Sequence, residues 1–260
     1  MIWVIAGTAD GRGLAVELQR RYGVPMLVSV VSEYGAQLAA HDGIEVHTGR
    51  LDGAAMEALI RERGVRLLVD ASHPYAAVVT ATAMKSAAAC GIPFIRFERG
   101  EVELPAYERL HRVKNEVDAA DLAGRLGRRV YLTTGSKTMA IFAGAEALKG
   151  AEVWTRVLPT AQVVAEMEAL GIAPKYIVGM QGPFSYEMNK IMFRDTKAEV
   201  VVMKNSGLVG GSDTKLEAAM DLGLHIVVID RPNPAEGAVT VGTPAECFEK
   251  SDAYFAAHRR

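Results

Sequence analysis

Several short stretches of the chain gather the side chains that hold anions, move protons or stack on rings. Gly7-Thr8-Ala9-Asp10-Gly11-Arg12-Gly13 supplies three glycines, a hydroxyl and a guanidinium. Glycine lets backbone N–H groups approach an anion, and a following helix N-terminus adds favourable partial charge. Thr8 offers a hydroxyl donor and Arg12 a charge-assisted partner for phosphate or carboxylate. The glycine spacing misses G-x-G-x-x-G, so the stretch reads as an anion site without a named cofactor. Asp70-Ala71-Ser72-His73-Pro74-Tyr75 carries an imidazole, a phenol and a hydroxyl. Pro74 biases His73 away from helical angles and suits the first turn of a helix. Thr133-Thr134-Gly135-Ser136-Lys137-Thr138 ends like a P-loop, but Tyr131 stands where the first glycine of a Walker motif belongs. What survives is a hydroxyl-rich loop with a lysine, suited to an anion. Polar clusters recur at Arg156-Val157-Leu158-Pro159, at Gln181-Gly182-Pro183-Phe184-Ser185, at Lys204-Asn205-Ser206-Gly207 running to Gly211, and at Arg231-Pro232.

These clusters follow apolar runs, and the elements that position them can be read from the same pattern. Strands are expected over 2–6, 26–31, 44–47, 67–70 and 94–96, alternating with helices over 12–21, 34–40, 54–63 and 76–90. Glycines at 23, 43, 64 and 91 follow each helix, where a left-handed cap favours glycine. Such short, wholly apolar runs suit a parallel sheet buried on both faces. The pattern lapses over 97–112, where Arg96, Arg99, Arg109 and Arg112 balance Glu98, Glu101, Glu103 and Glu108. That segment reads as a crossover. A second alternation follows, with strands over 130–133, 152–156, 176–178, 199–203 and 226–229. Helices are expected over 116–126, 137–145, 161–170, 186–193 and 214–222, with a last one over 244–257 capped by Thr243. The expectation is α/β: two Rossmann-like doubly wound domains with mainly parallel sheets and an interdomain cleft. Their bounds are 1–100 and 101–260, the second including the terminal helix. Ligands in such sheets bind at the carboxyl ends of the strands, where every polar cluster falls.

Composition narrows the function classes. The 260 residues are half apolar, carry 29 basic against 31 acidic side chains, and have a formal charge of −2. Near-neutrality without a basic stripe argues against a nucleic-acid surface. No apolar run approaches the ~20 residues of a membrane helix. Met1-Ile2-Trp3-Val4-Ile5 has no basic region ahead of it and reads as a first strand, not a signal peptide. Cys90 and Cys247 form no CxxC pair and fit a reduced, cytoplasmic protein. The histidines at 41, 47, 73, 111, 225 and 258 include no HxxxH or HxH pair, and no GxSxG elbow occurs. Metal hydrolysis and nucleophilic catalysis lose ground, and chemistry delegated to a bound nucleotide gains it.

GTADGRG, DASHPYA, PFIRFER, TTGSK, RVLP, QGPFS and KNSG…GG…K occur in that order from Gly7 to Pro232. Together they resemble the precorrin-6A reductase family of cobalamin biosynthesis, over nearly the whole chain. The resemblance implies reduction of one double bond of the precorrin-6A macrocycle, or its cobalt form, by hydride from NADPH, with NADH the alternative donor. No metal or flavin is expected. The loops implied to hold the cofactor are Gly7, Thr8, Gly11 and Arg12, and Thr134, Gly135, Ser136 and Lys137. Ser72, Arg96, Arg99, Arg156, Gln181, Lys204, Asn205, Ser206 and Arg231 are implied to meet the carboxylate-rich substrate, and His73 or Tyr75 to donate the proton. The partners implied are the tetrapyrrole and, transiently, neighbouring pathway enzymes, with neither nucleic acid nor membrane. Ser72 and Asp10 depart from the family's commoner threonine and glutamate, each keeping its chemistry, and the stretch after Arg99 lacks the usual aromatic. Two other readings are a dinucleotide-sensing regulatory module and a tetrapyrrole methyltransferase.

Overall fold

The computed structural model describes residues 1–233 and 235–257; His258 lies outside them. Contacts divide the chain into two compact units, Met1–Gly100 with Pro232–Arg260, and Glu101–Arg231.

In the first unit the alternation runs β1 (Ile2–Ala6), α1 (Ala9–Tyr22), β2 (Met26–Val30), α2 (Glu33–Ala39), β3 (Ile44–Thr48), α3 (Gly53–Arg63), β4 (Leu67–Ala71), α4 (Ala77–Ala89) and β5 (Phe94–Phe97). In the second, β6 (Leu110–Val113), α5 (Glu116–Leu126), β7 (Arg129–Leu132), α6 (Met139–Gly144), β8 (Glu152–Val157), α7 (Ala161–Ala169), β9 (Ile177–Gly179), α8 (Tyr186–Asp195), β10 (Val200–Lys204), α9 (Ser212–Asp221) and β11 (His225–Ile229) follow. The chain then supplies β12 (Val239–Val241) and α10 (Pro244–Ala257) to the first unit.

Two six-stranded sheets result, ordered β12-β5-β4-β1-β2-β3 and β6-β11-β10-β7-β8-β9, with every pairing parallel. Strands β1, β2 and β4 are buried along their whole length, which explains their unbroken apolar runs. Trp3 fills one face of the first core and donates its indole N–H to Ser29 at 2.9 Å. Tyr131 and Phe193, ring centroids 5.1 Å apart, anchor the second. No helix among the described residues is long and apolar enough to cross a membrane.

The α/β reading is borne out, and the differences from expectation are local. Helix α1 starts at Ala9, not 12, because Thr8 is its N-cap and accepts from the Gly11 N–H at 3.3 Å. The segment 97–112 holds an edge strand, β6, whose polar His111 and Arg112 an edge tolerates. The stretch after Arg231 returns to the first unit. Val239–Val241 pairs with Phe94–Phe97, and Asp252 of α10 accepts from the Tyr22 hydroxyl of α1 at 2.7 Å. The second unit therefore ends at Arg231, where the expected boundary carried it to 260. Val239–Val241, three residues with only Val241 buried, is too short to be distinguished from a loop in the sequence.

Strand order fixes where ligands can sit. In each sheet the order reverses once, between β1 and β4 in the first unit and between β7 and β10 in the second. Loops leaving those strands splay apart and open a crevice at the carboxyl edge. In the first unit these are the Gly7 and Ser72-His73 loops; in the second, Thr133–Thr138 and Asn205–Gly211.

Candidate functional site

At the switch point of the first unit the two loops touch. A Cβ added to Gly7 would lie 3.2 Å from the His73 backbone nitrogen, and one on Gly11 would lie 2.8 Å from the Ala71 carbonyl oxygen. Gly7 and Gly11 are thus small because α1 and β1 run against the end of β4. Only Gly7 and Thr8 lie in the turn, since Gly11 and Arg12 already belong to α1. Thr8 also donates to the Ala71 carbonyl at 3.4 Å, so its hydroxyl serves the helix cap and the strand end. The Arg12 guanidinium, part-exposed in the same helix, has no hydrogen-bond or ion-pair partner among the described residues.

His73 is oriented by its own turn. Its Nδ1 accepts the Tyr75 N–H at 3.3 Å, which in the neutral ring leaves the proton on Nε2. The two rings lie 5.6 Å apart, tilted by 42°. Beneath them sits a buried ionic cluster. Arg96, 3% exposed, places Nη1 3.0 Å from Oδ2 of Asp70, which is fully buried, and donates to the Ser72 carbonyl and hydroxyl, each at 3.1 Å. Its Nε donates to Glu98 at 3.0 Å, while Asp70 Oδ1 accepts the Ser72 N–H at 2.9 Å. Ser72 and Arg96, both read from sequence as substrate contacts, are hydrogen-bonded to one another at the base of the His73 turn. Arg99 is paired with Asp10 in the first turn of α1. Burial raises the Asp10 pKa, but hydrogen bonds from Arg99 and Thr8 and the Arg99 charge outweigh it and hold the carboxyl below its ordinary value.

In the second unit, both switch-point loops pass through a backbone conformation that is essentially glycine's alone. Gly135 has φ 78°, ψ 179° and Gly207 φ 79°, ψ −178°. Each is followed by one turn of 3₁₀ helix, Ser136–Thr138 and Leu208–Gly210. An added Cβ on Gly135 would meet nothing within 4 Å, so the Thr134–Lys137 backbone stands open beside it. Thr138 donates to the Thr134 hydroxyl at 3.1 Å and Thr133 to the Val202 carbonyl at 3.1 Å, steadying the loop.

The remaining sequence-selected residues of this unit divide by partner. Lys204 is paired with Glu116 at 2.8 Å. Asn205 bonds both backbone groups of Val102, at 2.7 and 3.1 Å, and its carbonyl accepts from Arg231 Nε at 2.9 Å. The Ser206 N–H donates to Ser212 at 2.9 Å. These contacts clamp the segment after Gly100 and the end of β11 to the β10 loop. Gln181 is exposed. Arg156 is different: at 8% exposure it donates to Asn189 Oδ1 at 2.8 Å and lies 3.9 Å over the Phe184 ring. Asn189 in turn donates to the Phe184 and Ser185 carbonyls and to Thr214, at 3.4, 3.0 and 3.3 Å.

Comparison with known proteins decides between readings of this geometry. The family model described as precorrin-6x reductase CbiJ/CobK matches residues 1–251. The chain belongs to that family. A cobalt-precorrin-6A reductase of Priestia megaterium is 36% identical over 92% of this chain and 93% of its own. One from Salmonella typhimurium is 34% identical over 90% and 88%. The solved structure of CobK precorrin-6A reductase superposes with a TM-score of 0.79 at 25% identity, covering 97% of this chain and 96% of that one. Membership in the precorrin-6x reductase family makes the chain an oxidoreductase and sets aside the regulatory-module and methyltransferase readings. Reductases of this kind draw on a nicotinamide cofactor in general. Among the described residues no group of three or more His, Cys, Asp or Glu could hold a metal ion.

Residues that sequence reasoning passed over complete this picture of a precorrin-6x reductase. Asp70 and Glu98 are the acids that fix Arg96. Asn189, Thr214 and Lys215 surround Arg156 through helices α8 and α9. Two signals were available for Lys215: it closes the KNSG…GG…K block, and it shares the helical spacing of the buried Ser212, Leu216 and Ala219.

Proposed function

We propose that this chain reduces one double bond of the precorrin-6A macrocycle, or of its cobalt form, in cobalamin biosynthesis. The cofactor is NADPH, and the reaction takes place in the cytoplasm. NADPH when bound supplies the hydride, from C4 of its nicotinamide to an electrophilic carbon of the conjugated ring. The accompanying proton passes to the ring through His73 Nε2, which is reprotonated from solvent, with Tyr75 at hand as the second donor. The observation that carries this reading is the His73 turn itself. It lies at the switch point against Gly7, with Nδ1 held by the Tyr75 N–H and the strand end braced by Arg96.

The residues present fit a dinucleotide. Gly7 and Thr8 open α1, where the helix N-terminus favours an anion, and the unpartnered Arg12 adds a guanidinium. The open backbone at Gly135, with Ser136 and Lys137, gives a second phosphate cradle. No acidic residue stands at the tip of β2, where Val30 and Val31 precede Ser32, which favours NADPH over NADH. The residues offered to the substrate carboxylates are Arg99, Arg156, Gln181, Lys204, Asn205, Ser206 and Arg231. Ser72 and Arg96 act by holding His73. Anaerobic assays with precorrin-6A and its cobalt form, each with NADPH and NADH, test the reading. Stoichiometric oxidation of NADPH by one tetrapyrrole is expected. Binding of NADPH without oxidation by either tetrapyrrole overturns it.

A further inference from the structure

His111 and His225 lie 114 positions apart in the chain, too far for metal-ligand spacing to show in the sequence, yet the second sheet brings them together. Strand β6 pairs with β11 in parallel and sets Val227 opposite His111. His225 is two residues before Val227, so both imidazoles project from the same face of the sheet. Nε2 of His111 stands 3.3 Å from Nδ1 of His225, with ring centroids 5.5 Å apart and planes tilted by 31°. Both residues are part-exposed, and β6 is the last strand of its sheet. His225 opens β11, which sets the pair toward the amino edge of the sheet, away from the loops at the switch point.

Two ring nitrogens this close cannot both aim a bare lone pair at the other. Either one ring holds a proton between them or both lone pairs meet a cation. Two nitrogens on one tetrahedral zinc ion, each bound at about 2.0–2.1 Å, lie about 3.3–3.4 Å apart, and the pair already has that separation. The carboxyl end of α5 lies over the same face. A Cβ on its C-cap, Gly127, would come within 3.0 Å of Val200 Cγ2, and Val200 is the register partner of His225. Partial negative charge at a helix carboxyl end favours a cation. Arg109 opposes one, but its Nη1 is engaged by the Gly223 carbonyl at 2.6 Å. No third His, Cys, Asp or Glu completes a metal-holding group among the described residues, so water fills the remaining positions.

We propose that His111 and His225 together bind one divalent transition-metal ion of the kind imidazole prefers: copper, nickel or zinc. His111 ligates through Nε2 and His225 through Nδ1. The ring that donates in the metal-free pair moves its proton to its other nitrogen, so both lone pairs face the ion and no net proton is lost. The bound ion pins the edge strand β6 to β11 and ties the stability of that edge to metal. Neither ring belongs to the switch-point loops, so metal binding and the reduction of precorrin-6A are independent.

Cupric ion is the first probe, titrated into the full chain after chelator treatment and dialysis. One ion per chain is expected, with electron paramagnetic resonance showing nitrogen hyperfine splitting from two imidazoles. His111→Gln and His225→Gln should each weaken binding by about tenfold or more, at least the usual cost of losing a ligand's outer-shell partner. His73→Gln, which removes the imidazole of the switch-point site, should bind copper as the wild type does. Nickel and zinc should follow copper in affinity, and zinc should raise the melting temperature of the wild type but of neither ligand variant. Copper held through fewer than two imidazoles in the wild type overturns the site, a reading that needs no variant to fold. Copper held by both folded ligand variants as tightly as by the wild type overturns it too. Either result leaves the reduction of precorrin-6A as it stands, so the two proposals fail separately.

Discussion

The two units share a strand order and treat buried charge in opposite ways. At the switch point of the first, Asp70 and Arg96 are buried together and Glu98 closes the cluster, so each guanidinium contact has an acid, carbonyl or hydroxyl to receive it. In the second, Arg156 and Lys215 are equally buried but face an amide, a thioether and an aromatic ring. A balanced cluster needs nothing further and rigidifies what it touches, here the His73 turn. An unbalanced one costs stability. The contrast separates an arginine whose charge is balanced by acids from one whose contacts are neutral, a distinction invisible in the residue type.

The largest effect is expected at the group the balanced cluster serves. His73→Ala should lower turnover by about 100-fold or more, the usual worth of a positioned proton donor, while NADPH affinity stays near wild type. Single-turnover rates beside a fluorescence titration of NADPH measure both. Wild-type turnover would remove His73 from the chemistry and leave the cluster bracing an inert turn. Next comes the cluster itself. Arg96→Met leaves Asp70 buried without its cation and should cost about 3–5 kcal/mol in urea unfolding. Lys215→Met should cost nothing or stabilise. Equal losses in the two variants would erase the contrast between the units.

Glycines sharpen it further, because the units use them differently. Gly11→Ala drives a methyl into the Ala71 carbonyl, 2.8 Å away, and should cost about 1–3 kcal/mol through displaced packing. Gly135→Ala meets no atom within 4 Å but forbids the native φ of 78°, at a similar cost of about 1–3 kcal/mol. The difference lies in function. Gly135→Ala should weaken NADP⁺ binding by reshaping an open loop, whereas Gly11→Ala should act chiefly on stability. Urea midpoints and NADP⁺ titrations of both variants decide this, and the reverse pattern would exchange the roles of the two loops.

Most of the fold was legible because parallel strands buried on both faces leave unbroken apolar runs, as in Ile2–Ala6 and Leu67–Ala71. The return of the chain to its first unit was not. Three residues of β12 at a sheet edge carry too little pattern, and their partner, β5, is more than a hundred positions away. Sequence placed the polar loops after the strands but not the partners each of their side chains takes. Ser72 precedes His73 in the chain and Arg96 reaches it through the pairing of β5 with β4; both read as ligands, yet Asp70, two residues before Ser72, pairs with Arg96. Lys215 closes the KNSG…GG…K block, but its burial was not legible because it depends on Arg156 and Asn189 arriving from distant segments.

The smallest effect is the most direct test of what ionisation does in each unit. Asp10 has a depressed pKa in the folded chain, so below its ordinary value near 3.8 the unfolded chain binds the proton first. The stability it contributes is present above that value and is lost as pH falls through the folded pKa. Screening of this part-exposed pair limits the contribution to about 1 kcal/mol or less. Lys215 also has a lowered pKa, about 7 against an ordinary 10.5, so stability again rises with pH, but between roughly 7 and 10.5. The signs agree and the meanings differ: Asp10 stabilises by gaining its charge, Lys215 by losing it. Urea midpoints against pH for wild type, Asp10→Asn and Lys215→Met resolve the two windows. Asp10→Asn should flatten part of the acid arm, and Lys215→Met the rise above neutrality. If the rise persists unchanged in Lys215→Met, the second unit's buried lysine is not the group that loses its charge over that window.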